Sequence, residues 1–212
     1  AANAGTLAPG TYSVASALSS GSVLDAAGAG TADGTAAQVY SANGTDAQAW
    51  VVEDAGAGYV TVRNAASGLA LDVPGGSACS GAQLQLWTPN GSWAQRWVAV
   101  RDGAGIRLVS ALDDTLSVDL PGASTADGSR LQLYSDNGTA AQRWSFEPAK
   151  TLRQRVDELA AANVGTLAPG TYAVRSALSS SCVLDAAGAG AADGTAAQTW
   201  SANGTDAQAW LV

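Results

Sequence analysis

The chain has 212 residues, which at roughly 150 residues per domain corresponds to about one and a half domains. It contains no histidine and only two cysteines, which excludes Ser-His-Asp and Cys-His nucleophile pairs and the usual zinc sites. The net charge of −8, without any cluster of Lys and Arg, argues against nucleic-acid binding, and no apolar run is long enough to span a membrane.

The sequence repeats itself with a period of 47 residues over positions 1–149. A period of this length indicates similar structural units that stack on one another, none of which is stable alone. The recurring residues are a Gln-x-Trp tripeptide ending at Trp50, Trp97 and Trp144, an aspartate (Asp25, Asp72, Asp119), an aromatic residue (Tyr40, Trp87, Tyr134) and an Asn-Gly pair beginning at Asn43, Asn90 and Asn137.

Each repeat carries the signals of four short β-strands. In repeat two, residues 59–62, 69–73, 83–87 and 95–100 show alternation or β-branched and aromatic residues, with Gly, Pro, Asn and Asp between them. This pattern predicts an all-β barrel or sandwich rather than βαβ units. Three equal four-stranded repeats are predicted to close around a threefold axis.

Two kinds of polar residue are predicted to form the turns. An Asn-Gly pair favours a type I′ hairpin turn, in which both central residues have positive φ. The aspartates of the Ala-Asp-Gly segments are predicted to bond to backbone groups of their own turns. These are Asp33, Asp127 and Asp193.

Residues 150–163 interrupt the repeats and are predicted to form an amphipathic helical linker. Thr151 is the expected N-cap, and Asn163 with Gly165 is the expected stop. A helix of about a dozen residues is marginal in isolation, so we expect its apolar stripe to dock on the barrel. The stripe consists of Leu152, Val156 and Leu159.

A fourth copy of the repeat follows the linker, because Gly165–Trp210 is identical to Gly5–Trp50 at 39 of 46 positions. The predicted domains are a three-repeat domain (1–149), the linker (150–163) and one third of a second such domain (164–212). One repeat leaves an apolar face uncovered. We therefore expect residues 164–212 to mediate self-association, by three chains pooling their thirds or by head-to-tail docking, unless the natural chain continues with further repeats.

The repeated Gln-x-Trp, together with an Asp followed 15 residues later by an aromatic residue, resembles the ricin B-chain type β-trefoil lectins. The same fold forms carbohydrate-binding modules attached to bacterial glycosidases, muramidases and surface proteins. The resemblance covers the whole chain except the linker. It implies a β-trefoil with a shallow sugar pocket in each repeat.

The resemblance also implies a role for each recurring residue. The Trp of Gln-x-Trp packs in the core while its Gln fixes the backbone, the Asp accepts hydrogen bonds from sugar hydroxyls, and the other aromatic residue stacks on the sugar. The structural set is Gln48, Trp50, Gln95, Trp97, Gln142, Trp144, Gln208 and Trp210. The sugar-binding set is Asp25, Gln38, Tyr40, Asn43, Asp72, Gln85, Trp87, Asn90, Trp93, Asp119, Gln132, Tyr134, Asn137, Asp185, Gln198, Trp200 and Asn203.

Elementary chemistry supports this pairing of residue types. A neutral sugar presents neighbouring hydroxyls and one apolar face, so a carboxylate and a flat ring together orient it with little buried area. Each such site is weak, and repetition along the chain raises the affinity for a multivalent glycan.

One position departs from the family pattern. The family usually has an Asn before the Gln of Gln-x-Trp, which completes the hydroxyl clamp, and this chain has Ala there in every repeat. The Asn of each Asn-Gly pair either replaces that group or serves only in the turn. The alanines are Ala47, Ala94, Ala141 and Ala207.

Trp93 and the two cysteines also stand outside the pattern. Trp93 matches Asp46 and Ala140, so it either enlarges the sugar platform of repeat two or packs on the linker helix. Cys79 and Cys182 are expected to be free thiols, because the position that pairs with Cys182 in related sequences, near Ala202, is not a cysteine here. A bridge between the two would require a close approach of their Cα atoms, which the sequence does not establish.

The low charged fraction of 13%, against about 25% in an average domain, is typical of an extracellular or cell-surface module. We expect a non-catalytic lectin-like module of a bacterial protein that binds galactose-, mannose- or xylose-type glycans, without cofactor or metal. The alternative is a structural or assembly repeat whose sugar sites have decayed. A trefoil protease inhibitor is a third possibility, for which no reactive loop is recognisable.

Overall fold

The computed structural model describes residues 7–162, 167–176 and 179–212. The chain divides into two compact units, Ala1–Val156 and Asp157–Val212. The domain boundaries drawn from the sequence at 149/150 and 163/164 stay predictions.

The first unit is built from thirteen strands that form one sheet. Four strands belong to each repeat, and the third strand of repeat three is split into two pieces. The strands are β1 Gly10–Ser16, β2 Ser19–Ala26, β3 Thr35–Ser41, β4 Trp50–Asp54, β5 Val60–Asn64, β6 Ala70–Asp72, β7 Gln85–Trp87, β8 Trp97–Asp102, β9 Gly105–Ser110, β10 Leu116–Asp119, β11 Ser129–Arg130, β12 Gln132–Ser135 and β13 Trp144–Pro148.

Six of these strands close into a barrel, since each pairs antiparallel with the next in the ring β1–β4–β5–β8–β9–β13 and β13 pairs again with β1. Closure leaves no unpaired sheet edge in the ring. The hairpins β2–β3, β6–β7 and β10–β12 join one another through β3–β7, β3–β11 and a bridge between Gln83 and Gln132. The predicted all-β trefoil is therefore confirmed.

The core of the first unit centres on the three Gln-x-Trp tryptophans. Trp50, Trp97 and Trp144 are at most 1% exposed, and each is the first residue of a barrel strand. Their indole N–H groups donate to backbone carbonyls of the strand that carries the recurring Asp. The acceptors are Leu24 O at 2.9 Å, Leu71 O at 3.3 Å and Val118 O at 3.4 Å.

Asp33 and Asp127 connect successive repeats, so the prediction that they bond within their own turns is wrong. The Asp127 carboxylate accepts hydrogen bonds from the backbone N–H of Ser41 at 2.6 Å and from its hydroxyl at 2.9 Å. Asp33 accepts the same pair of bonds from Thr88. These partners are 86 and 55 residues away along the chain, where local turn preferences give no information.

The prediction of type I′ turns at the Asn-Gly pairs is also wrong. The glycines have positive φ, between 66° and 72°, and the asparagines do not. Each Asn side-chain oxygen instead accepts the backbone N–H two residues further on, which is an Asx turn. The bonds run from Thr45 N to Asn43, Ser92 N to Asn90, Thr139 N to Asn137 and Thr205 N to Asn203, at 2.9–3.0 Å.

The linker contains the helix α1, Leu152–Ala162. Thr151 caps it as predicted: its hydroxyl accepts from Gln154 N at 3.2 Å, and the Gln154 side-chain oxygen accepts from Thr151 N at 2.8 Å. The first turn is held by the backbone N–H of Leu152, which donates to Asp46 at 2.6 Å. The guanidinium of Arg155 donates to Gly44 O at 2.9 Å.

In the first unit, the part of the apolar stripe that belongs to α1 does not dock, contrary to the prediction. Leu152 and Val156 are 57% and 48% exposed, and the contacts that hold the first turn are polar. The predicted stop at Asn163 and Gly165 lies outside the described residues. No helix in the described ranges is long and apolar enough to cross a membrane.

The second unit holds the fourth repeat. Its β16–β17 hairpin has the register of β2–β3, with Asp185 opposite Gln198. Trp210 donates to Leu184 O at 2.9 Å, as the other tryptophans do, but it is only half-buried where the resemblance implies a core position. Trp50 by contrast belongs to a core cluster to which all three repeats of the first unit contribute. The strands are β14 Thr171–Tyr172, β15 Arg175–Ser176, β16 Ser179–Ala186, β17 Ala197–Ser201 and β18 Trp210–Leu211.

Both cysteines are free, as expected. Cys79 is exposed and Cys182 is half-buried. Neither residue therefore contributes a covalent constraint to the fold.

Candidate functional site

The recurring aspartate of each repeat lies directly opposite a glutamine on the neighbouring strand. The hairpin register sets this pairing, and the glutamine side-chain N–H donates to the carboxylate in all four repeats. The pairs are Asp25–Gln38 at 2.8 Å, Asp72–Gln85 at 2.8 Å, Asp119–Gln132 at 2.7 Å and Asp185–Gln198 at 3.0 Å.

The glutamine of Gln-x-Trp holds the same carboxylate from the other side. In repeat two, the side-chain N–H group of Gln95 donates to Asp72 Oδ1 at 3.2 Å and to Thr88 O at 3.1 Å, while its oxygen accepts Asn90 N at 2.9 Å. Gln48 and Gln208 hold Asp25 and Asp185 in the same way. The structure thus adds to the backbone role implied by the resemblance, because this glutamine also orients the aspartate.

These carboxylates are buried, at 4–5% exposure. Burial raises the pKa of Asp72 and of Asp119, and the hydrogen bonds from their glutamines lower the pKa and offset part of that effect. The folded-state pKa of these two aspartates therefore lies above the unfolded value. At pH values above the folded-state pKa, their ionised forms lower the free energy of unfolding. This loss of stability disappears as the pH falls from the folded-state pKa to the unfolded one. Protonation over the same pH range removes the negative charge and turns one carboxylate oxygen into a hydrogen-bond donor.

The turn after each aspartate has two consecutive residues with positive φ. In repeat two these are Gly75 and Gly76, at 61° and 65°, and Pro74 begins the turn. Repeats one, three and four have an alanine at the second position, with φ of 51–55°, which is costly for a residue with a Cβ. Such backbone strain is concentrated at functional sites. The alanines are Ala29, Ala123 and Ala189.

Repeat two forms the larger of two matching cavities. Its volume is about 760 Å³, and Trp87 contributes a ring that is 39% exposed. The Pro74–Gly76 turn forms part of the lining, and Leu112 of repeat three forms another part. All the site residues predicted for this repeat line the cavity, namely Asp72, Gln85, Trp87, Asn90 and Trp93.

Repeat three forms a smaller cavity, of about 350 Å³. Asp119, Gln132, Tyr134 and Asn137 line it, and Leu18 of repeat one occupies the position that Leu112 has in repeat two. Both leucines come from the repeat that follows in the ring. The sequence analysis missed them because their contribution depends on how the repeats pack.

The asparagine side chains already form hydrogen bonds within their own loops. In repeat two, Asn90 lines the cavity, but its side-chain oxygen already accepts Ser92 N. Its amide nitrogen is therefore the group it has to offer a ligand. Ala94, which stands where the family has Asn, is 8% exposed and lines the cavity with a methyl group.

The residue at the position of Trp93 differs from one repeat to the next. Trp93 lines the cavity beside Trp87, which agrees with the first of its two predicted placements. The equivalent Asp46 of repeat one instead accepts the backbone N–H of Leu152 at the start of α1. The first turn of the helix therefore contacts repeat one, and the ring contacts of Trp93 in the first unit are with Tyr59 and Arg96.

Comparison with known proteins assigns the family. The model described as "Ricin-type beta-trefoil lectin domain-like" matches residues 3–87, 47–134, 93–165 and 160–212. The chain belongs to the ricin-type β-trefoil lectin family. This membership supports carbohydrate binding for the family as a whole. None of the curated proteins compared with the chain matches it.

Three solved structures are similar to about two thirds of the chain. ThreeFoil, a designed 3-fold symmetric protein, is 34% identical over 65% of this chain and 97% of its own, with a TM-score of 0.62. The Rhizoctonia solani agglutinin is 27% identical over 67% and 96%, with a TM-score of 0.62. An exo-beta-1,3-galactanase from Clostridium thermocellum is 31% identical over 66% of this chain but 30% of its own, with a TM-score of 0.63.

The hydrogen bond from Gln85 predicts a specific shift in the titration of Asp72. Replacing Gln85→Met keeps the side-chain length and removes the donor, so the pKa of Asp72 is expected to rise further. Carbon-detected NMR titration of the carboxyl groups measures this, and Asp119 in the same chain is the control that should not move. An unchanged or lower Asp72 pKa would show that this bond does not stabilise the carboxylate.

Proposed function

We propose that the chain is a non-catalytic carbohydrate-binding module of a secreted or cell-surface bacterial protein. The observation that carries this proposal is a buried carboxylate, held by two glutamines, beside a half-exposed aromatic ring in one cavity. In repeat two these groups are Asp72, Gln85, Gln95 and Trp87. The site residues of the other repeats are proposed to act in the same way.

The hydrogen-bond geometry leaves the carboxylate able to bind hydroxyls. Each oxygen of Asp72 accepts one amide N–H, from Gln85 or from Gln95, and a carboxylate oxygen has two acceptor positions. The free positions suit two neighbouring hydroxyls of a pyranose, with charge-assisted bonds. The Trp87 ring then packs on the apolar C–H face of the same sugar.

The number of carboxylates in each cavity supports binding without catalysis. Glycoside hydrolases use two carboxyl groups on either side of the scissile bond. Among the residues that the structure describes, Asp72 is the one acidic residue lining the repeat-two cavity, and Asp119 is the one lining the repeat-three cavity. Each cavity therefore offers a single carboxylate as an acceptor for hydroxyls, where hydrolysis would need an acid and base pair.

Repetition is the proposed source of useful affinity. A shallow site with one aromatic ring binds a single sugar weakly, and several sites on one chain raise the affinity for a multivalent glycan. Galactose-, mannose- and xylose-type sugars are the proposed ligands, since all offer a pyranose face and neighbouring hydroxyls.

Trp87→Ala tests the binding proposal. The variant removes the ring from repeat two, so binding of galactose, mannose or xylose at that repeat is expected to weaken at least tenfold while the fold is retained. Calorimetry at millimolar sugar and circular dichroism of the full chain measure the two properties. Leu152→Ala is the matched control, because this exposed side chain lies outside the cavities. Wild-type binding that survives Trp87→Ala unchanged would contradict the proposed role.

A second candidate function, assembly, is favoured by a separate observation. Repeat four carries Asp193 and Ser201, which occupy the positions of Asp127 and Ser41. In the first unit those two residues form the bond between neighbouring repeats. Repeat four thus carries both halves of an inter-repeat bond, and it exposes Leu211 by 85% and Val174 by 46%. We propose that three chains combine their fourth repeats into one trefoil.

Asp193→Ala tests the assembly proposal. Losing a charged acceptor from each of three equivalent contacts is expected to weaken association at least tenfold. Sedimentation equilibrium of the full chain over a concentration series measures it, and Asp206→Ala, an exposed aspartate of the same repeat, is the control. Because association depends on protomer concentration, a wild-type chain that remains monomeric up to about 100 μM would refute the trimer.

A further inference from the structure

Trp93 is the most exposed tryptophan of the first unit, at 53%. It begins the short 3₁₀ turn Trp93–Gln95, whose last residue holds the carboxylate of Asp72. The equivalent residues of repeats one and three are Asp46 and Ala140. A single exposed apolar side chain is ordinary on a protein surface, but this indole lies in the wall of a cavity, beside Trp87.

Two neighbours fix the orientation of this indole. The ring of Tyr59 meets it edge to face, with centroids 5.5 Å apart and an interplanar angle of 76°. The Arg96 guanidinium carbon lies 5.0 Å from the centroid of the indole. Tyr59 directly precedes β5 and Arg96 directly precedes β8, so the barrel supports both. A ring held in this way loses little conformational entropy when a ligand binds.

The cavity is larger where this ring is present. The repeat-two cavity, with Trp93 in its wall, has about 760 Å³, and the repeat-three cavity, with Ala140 in its place, has about 350 Å³. The two cavities share the carboxylate, the glutamine, the aromatic residue and the leucine wall. The linings also differ at Trp87 against Tyr134 and at Gly76 against Ala123, and Trp93 against Ala140 is the largest of these differences in side-chain size.

We propose that Trp93 is a second stacking platform, which makes repeat two a site for a neutral oligosaccharide of at least two pyranoses. One sugar occupies the Asp72–Trp87 position, and the adjoining sugar stacks on Trp93. Tyr59 and Arg96 are positioning residues for the second platform. This inference rests on the proposed carbohydrate binding. It adds the length of the ligand and the claim that the longer ligand binds at repeat two.

The experiment titrates the full chain with galactose and lactose, mannose and mannobiose, and xylose and xylobiose, and follows indole N–H signals by NMR. The assigned Trp87 signal reports on repeat two, because repeats one and three have Tyr40 and Tyr134 at that position and the Trp200 indole of repeat four gives a signal of its own. For one of the three pairs, the disaccharide is expected to bind at Trp87 about tenfold more tightly than the monosaccharide.

Variants separate the two platforms when binding is followed at the side-chain carboxyl carbon of Asp72, which both variants keep. Trp93→Ala should abolish the tenfold preference for the disaccharide and leave monosaccharide binding unchanged, whereas Trp87→Ala should weaken both. Tyr59→Ala should remove part of the preference, and Tyr59→Phe, which keeps the edge-to-face contact, should restore it.

Two outcomes would overturn this inference alone. If monosaccharides shift the Trp87 signal but Trp93→Ala leaves the disaccharide affinity unchanged, the second platform is refuted and the proposed function stands. If Trp93→Ala weakens both sugars equally, Trp93 supports the first site structurally and is not a platform. An absence of any sugar binding to the wild-type chain would refute the proposed function and this inference with it.

Discussion

A carboxylate that is almost completely buried in a small β-barrel protein must be hydrogen-bonded, because desolvation otherwise favours its neutral form. In this chain each recurring aspartate is bonded by one glutamine opposite it on the hairpin, and in repeats one, two and four by a second glutamine 23 residues further along. The second bond joins the hairpin to the turn that begins the next barrel strand. The tryptophan two residues later donates to the backbone carbonyl just before the aspartate, as Trp97 does to Leu71. Both the Gln and the Trp of the Gln-x-Trp motif are therefore hydrogen-bonded to the strand that carries the aspartate.

The same arrangement explains why the repeats depend on one another. Leu112 and Leu18 complete cavities whose polar groups belong to the preceding repeat, and Asp33 and Asp127 bond across repeat boundaries. The fourth repeat keeps its internal carboxylate and tryptophan bonds, as Asp185 and Trp210 show. What it lacks within its own unit is the enclosure that other repeats provide, and Trp210 remains half-buried.

The sequence predicted those parts of the structure that depend on residues close together or regularly spaced. The strands, the Thr151 cap and the association of Asp72 with Trp87 follow from periodicity and local preferences. The bond from Ser41 to Asp127 and the leucine walls depend on contacts between repeats, which carry no local signal. The Asn-Gly turns were mispredicted because an asparagine oxygen can accept the N–H two residues on, and this Asx turn competes with the type I′ conformation.

One position on the rim of the site has a different residue in each of the first three repeats. Repeat one has Asp46 there and binds the start of α1, repeat two has Trp93 and an enlarged cavity, and repeat three has Ala140. Because the aspartate and the aromatic ring recur while this rim residue varies, one fold can form sites of different size.

The central claim is that the buried aspartate and its neighbouring ring form the sugar site. The most direct measurement follows the side-chain carboxyl carbon of Asp72 and the indole of Trp97 by NMR while galactose, mannose or xylose is added to tens of millimolar, roughly the range of a weak single site. The account predicts a saturable shift of the Asp72 signal with at least one sugar and no shift of the buried Trp97 indole. Saturable binding that leaves Asp72 unchanged, or no shift with any of the three sugars, would contradict it.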